Sequence, residues 1–209
     1  MADMDIVNEG ERTPLYLAAL GGHKDVVQVL LDEGATPNKL CISPVHKPIR
    51  DRAPLHVAIF KGHLDVLKVL LDGGAEPNFR GRCGTTPLIC AAREGCKDVV
   101  QLLLDRGAEP NMVNQAGVTP LNVAALRGHK NVVKTLLDNG AEVNMADQYG
   151  HTPIRSAVMM GRIDVVKHLI DSGAELNMAD HNGRTPLSWA VSRGYENTAI
   201  ILKNNGGTQ

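Results

Sequence analysis

Short apolar stretches alternate with polar breaks along most of this chain, and the pattern is clearest in DQYGHTPIRSAVMMGRIDVVKHLIDSGAELNMA, residues 147–179. Thr152 followed by Pro153 predicts the start of a short helix. The hydroxyl caps free N–H groups, and proline takes the first helical position, where its missing N–H is not needed. That helix is expected to end near Gly161. A second begins around Asp164, whose carboxylate suits the positive end of the helix dipole. Val165, Val166, Leu169 and Ile170 fall on one face at helical spacing, and Gly173 supplies a left-handed residue past the last turn. Asp147 and Gly150 stand where a tight turn wants them, so the link between helix pairs reads as a hairpin-like finger.

The same pattern returns along the chain. A "TPL" motif or close variant recurs with its proline at 14, 54, 87, 120, 153 and 186, and the last four intervals are 33 residues while the first is 40. Neither two-turn helix can bury its apolar face alone, so the units must stack around a shared core. The expected organisation is one all-α domain over 1–209. Its units are 8–40, 48–80, 81–113, 114–146, 147–179 and 180–209, with seven extra residues, 41–47, in the first finger.

The six stretches TPLYLAALGGHKDVVQVLLDEGA, APLHVAIFKGHLDVLKVLLDGGA, TPLICAAREGCKDVVQLLLDRGA, TPLNVAALRGHKNVVKTLLDNGA, TPIRSAVMMGRIDVVKHLIDSGA and TPLSWAVSRGYENTAIILKNNGG together resemble the ankyrin repeat. The resemblance covers about 8 to 209 and implies a solenoid of helix-turn-helix units with finger loops. It departs from the family in one respect. The histidine usual after "TPL", which helps tie neighbouring repeats in the family, survives only as His56. Tyr16, Ile89, Asn122, Arg155 and Ser188 replace it, which implies weaker ties between units. His23, His63 and His129 follow the glycine of the inter-helix turn and read as a structural slot.

The two ends differ. In the last unit Thr198, Ala199 and Lys203 stand where the fourth has Val132, Val133 and Leu137, so a more polar outer face is expected of a C-terminal cap. In the first, Val26, Val27, Leu30 and Leu31 keep the apolar pattern with only Met4, Ile6 and Val7 upstream. Either that segment folds over the end or the chain was cut from a longer array.

Composition narrows the function. Aromatic residues are 3% of the chain, so the core is expected to be Leu, Val and Ala, which suits closely stacked helices. Trp189 is placed in that core, because the equivalent slots hold Leu17, Val57, Cys90 and Val123. The net charge of -1 gives no bulk attraction to nucleic acid or anionic membrane. Cys41, Cys83, Cys90 and Cys96 form no CxxC pair and read as free thiols of a reducing compartment. The apolar runs fall short of a membrane span, and the polar, acidic N-terminus is unlike a signal peptide. A cytoplasmic or nuclear monomer is expected. Signatures for phosphate loops, zinc proteases, serine hydrolases and dinucleotide sites are absent. The turn histidines stand a repeat or more apart, roughly 10 Å or further by helix packing, too far to share a metal. No enzyme activity, cofactor, metal or small-molecule substrate is expected.

Surface recognition remains. By resemblance, the variable positions of the concave face are those around the finger glycine and before the inter-helix glycine. Among them in units two to six stand Arg50, Arg52, Phe60, Lys61, Arg82, Arg93, Val118, Leu126, Arg127, Tyr149, His151, Met159, Met160, Arg184 and Arg193. Lys61 and seven arginines face only one acid in that set, Glu94, so a basic groove is expected on a nearly neutral chain. Val118, Leu126, Tyr149, Met159 and Met160 form an apolar group midway, with Arg127 at its border, a composition suited to an interface hot spot. Arginine binds carboxylate and phosphate through paired N–H groups. The expected function is therefore a non-catalytic protein-binding module, adaptor or inhibitor, that takes an acidic or phosphorylated peptide or surface. Two alternatives are an architectural segment of a longer array and nucleic-acid binding, the latter disfavoured by scarce stacking aromatics.

The enlarged first finger, with Lys39, Lys47, Arg50 and Arg52 against Asp51 and with Pro44 and Pro48 limiting its freedom, reads as a basic arm extending that groove or as a neutral insertion. The stretches LLDRGAEPN, LLDNGAEVN and LIDSGAELN resemble segments modified by the animal asparagine hydroxylase that acts on ankyrin repeats. That resemblance makes Asn111, Asn144 and Asn177 hydroxylation candidates.

Overall fold

A computed structural model describes residues 3–41 and 53–209. Among them lie twelve α-helices in six consecutive pairs: α1 (Pro14–Gly21) with α2 (Lys24–Asp32), α3 (Pro54–Lys61) with α4 (Leu64–Asp72), α5 (Pro87–Glu94) with α6 (Lys97–Asp105), α7 (Pro120–Arg127) with α8 (Lys130–Asp138), α9 (Pro153–Met159) with α10 (Ile163–Asp171), and α11 (Pro186–Ser192) with α12 (Glu196–Asn204). The odd-numbered helices pack on one another in chain order. The even-numbered ones form a second row behind them. This is an all-α repeat solenoid.

Local chemistry starts each pair. The hydroxyl oxygens of Thr13, Thr86, Thr119, Thr152 and Thr185 accept from the backbone N–H three residues on, and the following proline opens the helix. Ala53 leads into Pro54 with no side-chain cap. Between the rows runs one continuous core. Leu15, Leu55, Leu88, Leu121, Ile154 and Leu187 come from the inner row, and Val27, Leu67, Val100, Val133, Val166 and Leu202 from the outer. Burying each such side chain contributes roughly 1.5–3 kcal/mol, so the core accumulates unit by unit.

Among the described residues the fingers follow one plan, with an informative exception. Asn114 Oδ1 accepts from the N–H groups of Ala116 and Val118, and Asp147 Oδ1 from those of Tyr149 and His151. Asn8 and Asp180 repeat this ahead of α1 and α11. In the finger ahead of α5 the position is Gly81, which has no side chain to accept. There the chain forms a 3-10 turn over Arg82–Gly84, with Cys83 at φ 57.

Three expectations change. At two of the five replaced slots the missing histidine does not leave the units untied. His56 Nε2 pairs with Thr85 O at 3.0 Å, but Asn122 Nδ2 donates to Met145 O at 3.1 Å and Arg155 reaches Asp180 of the next unit. Shorter or longer polar side chains thus span the same junction. At the N-terminal end, Met4 packs on the core, but Ile6 and Val7 are exposed and leave Val26 and Val29 50% and 60% exposed. Segment 3–7 therefore does not cover that face. At the other end, Thr198 and Ala199 are buried because they lie on the inward side of α12. The outward side carries Glu196, Asn197, Ile200 and Lys203 instead.

Candidate functional site

The expected recognition residues come from two places in each unit: the finger and the last turn of the inner helix. Backbone hydrogen bonds join successive fingertips. Gln115 N donates to Cys83 O at 2.9 Å, Gln148 N to Ala116 O at 3.1 Å, and His181 N to Tyr149 O at 3.1 Å. This ladder fixes the spacing at which Arg82, Tyr149 and Arg184 are presented. The inner helices set the other row, because α3, α5, α7 and α9 pack consecutively and each brings its last turn, with Lys61, Arg93, Arg127 or Met159, to the same register. Arg50 and Arg52, together with the rest of the proposed arm from 42 to 52, lie outside the described residues.

Lys61, Arg82, Arg127, Arg184 and Arg193 are exposed and Arg93 is half-buried. Among the described residues, Lys61, Arg93, Arg127, Arg184 and Arg193 have no carboxylate at ion-pair distance. Phe60 is exposed, with Lys61 Nζ 5.9 Å from its ring centre. Lys39 behaves differently from its expected place in the arm. Its Nζ donates to the backbone oxygen of Asp5 at 2.8 Å, so its charge is directed back to the N-terminal segment.

The apolar group is divided. Tyr149 is 54% and Met160 45% exposed, whereas Val118, Leu126 and Met159 are half-buried. Met159 Sδ lies 3.6 Å from Arg155 Nη1, which gives it a packing role beside its surface. Tyr149 also stacks on His151, with ring centres 5.5 Å apart, and His151 Nδ1 pairs with Asp147 at 3.1 Å.

One constellation was not expected. Arg155 and Asp180 are both buried and form an ion pair at 3.5 Å between the fifth and sixth units. Trp189 Nε1 donates to the same Asp180 oxygen at 2.9 Å. Trp189 packs against the core, as expected, but is only partly buried, and its ring serves as a platform. The guanidinium carbons of Arg155, Arg184 and Arg193 stand 4.6, 4.9 and 5.8 Å from the ring centre. Burial alone would raise the Asp180 carboxyl, but hydrogen bonds from Trp189 and from the Arg184 and Asn182 backbone, with the charge of Arg155, hold it below its ordinary value. Burial lowers Arg155, against the opposing pull of Asp180 and Asp147. The signal in the sequence was an Arg in the histidine slot followed one unit later by Asp at a finger start and Trp in the helix.

The turn histidines and the candidate asparagines make bonds between units. His63 Nε2 pairs with Leu20 O at 3.3 Å and His129 Nε2 with Arg93 O at 3.1 Å, each binding the preceding unit's inner helix. Asn111 Nδ2 donates to Gly140 O while its Oδ1 accepts from Glu142 N. Asn144 and Asn177 make the same two-way link to Gly173 and Glu175, and to Gly206 and Thr208. Burial pushes the Cys41 and Cys96 thiols up. Among the described residues no group of three His, Cys, Asp or Glu side chains is placed to hold a metal, and no helix is long and apolar enough to cross a membrane.

The family model described as ankyrin repeats (3 copies) matches residues 1–81, 39–114, 55–147, 88–180 and 142–209. No curated protein matches the chain.

Proposed function

The chain belongs to the ankyrin-repeat family, whose members are generally protein-interaction modules and typically non-catalytic, and on that premise we propose that it binds an acidic or phosphorylated protein segment along its fingers and inner helices, as an adaptor or an inhibitor. The observation that carries this reading is the imbalance of charge on that face. Lys61, Arg93, Arg127, Arg184 and Arg193 stand there without paired carboxylates among the described residues, while the whole chain is at -1. A basic surface on a nearly neutral protein attracts acidic segments and speeds their encounter. Arginine rows supply register through paired N–H donors, and exposed Phe60, Tyr149 and Met160 supply apolar area for affinity.

The test is capture of partners from lysate by the wild-type chain and by Arg82→Glu, Arg93→Glu, Arg127→Glu, after thermal melts establish that the variant is folded. Partners lost from the variant alone, whose association slows with added salt, support the reading. Equal recovery by both sinks it and redirects attention to the finger at 39–52 or the opposite side.

A further inference from the structure

Trp189 is the only tryptophan in the chain, and three guanidiniums and one carboxylate surround it. The carboxylate is fully committed. Asp180 Oδ1 accepts from the N–H groups of Asn182 and Arg184, and Oδ2 from Trp189 and Arg155. Its side chain has no exposed surface, so it cannot turn outward to neutralise anything else. Arg155, 6% exposed at its side chain, takes up its charge from beneath and retains an Nε without a hydrogen-bond partner.

Arg184 and Arg193 are left over. Both are exposed, both stand against the Trp189 ring, and neither has a carboxylate at ion-pair distance among the described residues. Attraction to the ring face favours their positions without consuming N–H donors. Two guanidiniums held at one ring are therefore pre-organised around an uncompensated charge near +2. A carboxylate, with one charge and two oxygens, is satisfied by a single arginine fork. A phosphate monoester carries about -1.5 to -2 at neutral pH and three acceptor oxygens, which matches two forks.

From this we infer that Arg184, Arg193 and Trp189 form a subsite for the phosphate of a phosphorylated side chain in the bound segment. The inference rests on the protein-binding reading above and names one anchor within it. The neighbouring finger, joined through His181 N to Tyr149 O, presents the exposed Tyr149 ring for the residues flanking the phosphate.

The test uses Trp189 as its own reporter. The full chain is titrated with an alanine pentapeptide carrying a central phosphoserine, and with the serine and glutamate versions. Trp189 emission and the indole Nε1–H resonance are followed. The expected result is a saturable response to the phosphopeptide, at least tenfold weaker for the glutamate peptide, and reduced at least tenfold in Arg184→Lys, Arg193→Lys. That variant keeps both charges at exposed positions but loses the forks, and a thermal melt checks its fold. No saturable response, equal response to glutamate, or an unchanged response in the lysine variant overturns the subsite. Its failure is separable from failure of the broader reading, because partner capture sensitive to Arg82, Arg93 and Arg127 is measured independently of this end of the array.

Discussion

The Asp180 carboxylate joins Arg155 of α9 to Trp189 of α11, accepting from both through the same oxygen at 3.5 and 2.9 Å. One buried side chain thereby fixes the finger ahead of α11 against two successive inner helices. Removing one partner of a buried ion pair leaves the other charge uncompensated, at a cost of about 3–5 kcal/mol. Asp180→Asn is expected to lower the urea midpoint accordingly. Adding Arg155→Met should recover part of the loss, since the stranded charge is then gone. If the single variant unfolds like wild type, the pair is not what holds this junction.

The same carboxylate sets an acid limit. Its pKa lies below the ordinary 3.8 in the folded chain, so the folded state holds the proton less tightly than the unfolded state. The resulting stability is present above the unfolded value and lost as pH falls through the folded one. Between pH 5 and pH 2, wild-type stability should therefore fall more steeply than that of Asp180→Asn, measured as urea midpoints across the series. Parallel curves would remove Asp180 from the account.

At the inter-helix turns, Gly95 has φ 77 and a Cβ built on it would stand 2.6 Å from the His129 ring. Gly194 has φ 70 with nothing within 4 Å. Gly194→Ala should cost about 1 kcal/mol for the left-handed backbone alone. Gly95→Ala should cost at least about 1 kcal/mol more, because the ring must move and surrender its bond to Arg93 O. Equal losses in chemical denaturation would show that the ring yields freely.

Gly81 offers the converse. The equivalent Asn114 and Asp147 each accept two backbone N–H groups, and Gly81 has φ -74, a conformation open to any residue. Gly81→Asp should restore the missing acceptor and stabilise the chain by about 0.5–1.5 kcal/mol. A fall in melting temperature would mean that the 3-10 turn at Arg82–Gly84 is preferred for reasons other than the absent side chain.

The architecture was legible because its determinants are local: Thr-Pro starts, glycine stops and helical spacing lie within a few residues of what they control. The candidate surface was legible as far as register goes, since equivalent positions in stacked units share a face. The Arg155, Asp180 and Trp189 cluster was not, because its members are 25 and 9 residues apart and meet only once two units dock. Arg155 read as a lost histidine when it is a longer tie to the same neighbour. Thr198 and Ala199 misled similarly: their polarity or small size suggested an outer face, whereas they sit on the inward side of α12, as Val132 and Val133 do on α8. Lys39 counted as arm charge until Asp5 folded back to meet it.

Asn111 concerns stability and modification together. Its amide donates to Gly140 O at 3.0 Å and accepts from Glu142 N at 2.8 Å, bonds that pass from the third unit to the fourth. Asn111→Ala removes both of these exposed bonds, each worth about 0.5–1.5 kcal/mol. Were Asn111, Asn144 and Asn177 substrates of an asparagine hydroxylase, this ladder would hold their side chains back, and modification would proceed through local opening. Hydroxylation of Asn111, followed by mass spectrometry with a purified hydroxylase, is then expected to accelerate in Gly95→Ala, which destabilises the same unit. A rate unaffected by that destabilisation would mean that the enzyme reads the asparagine in place, and the ladder would not be the barrier.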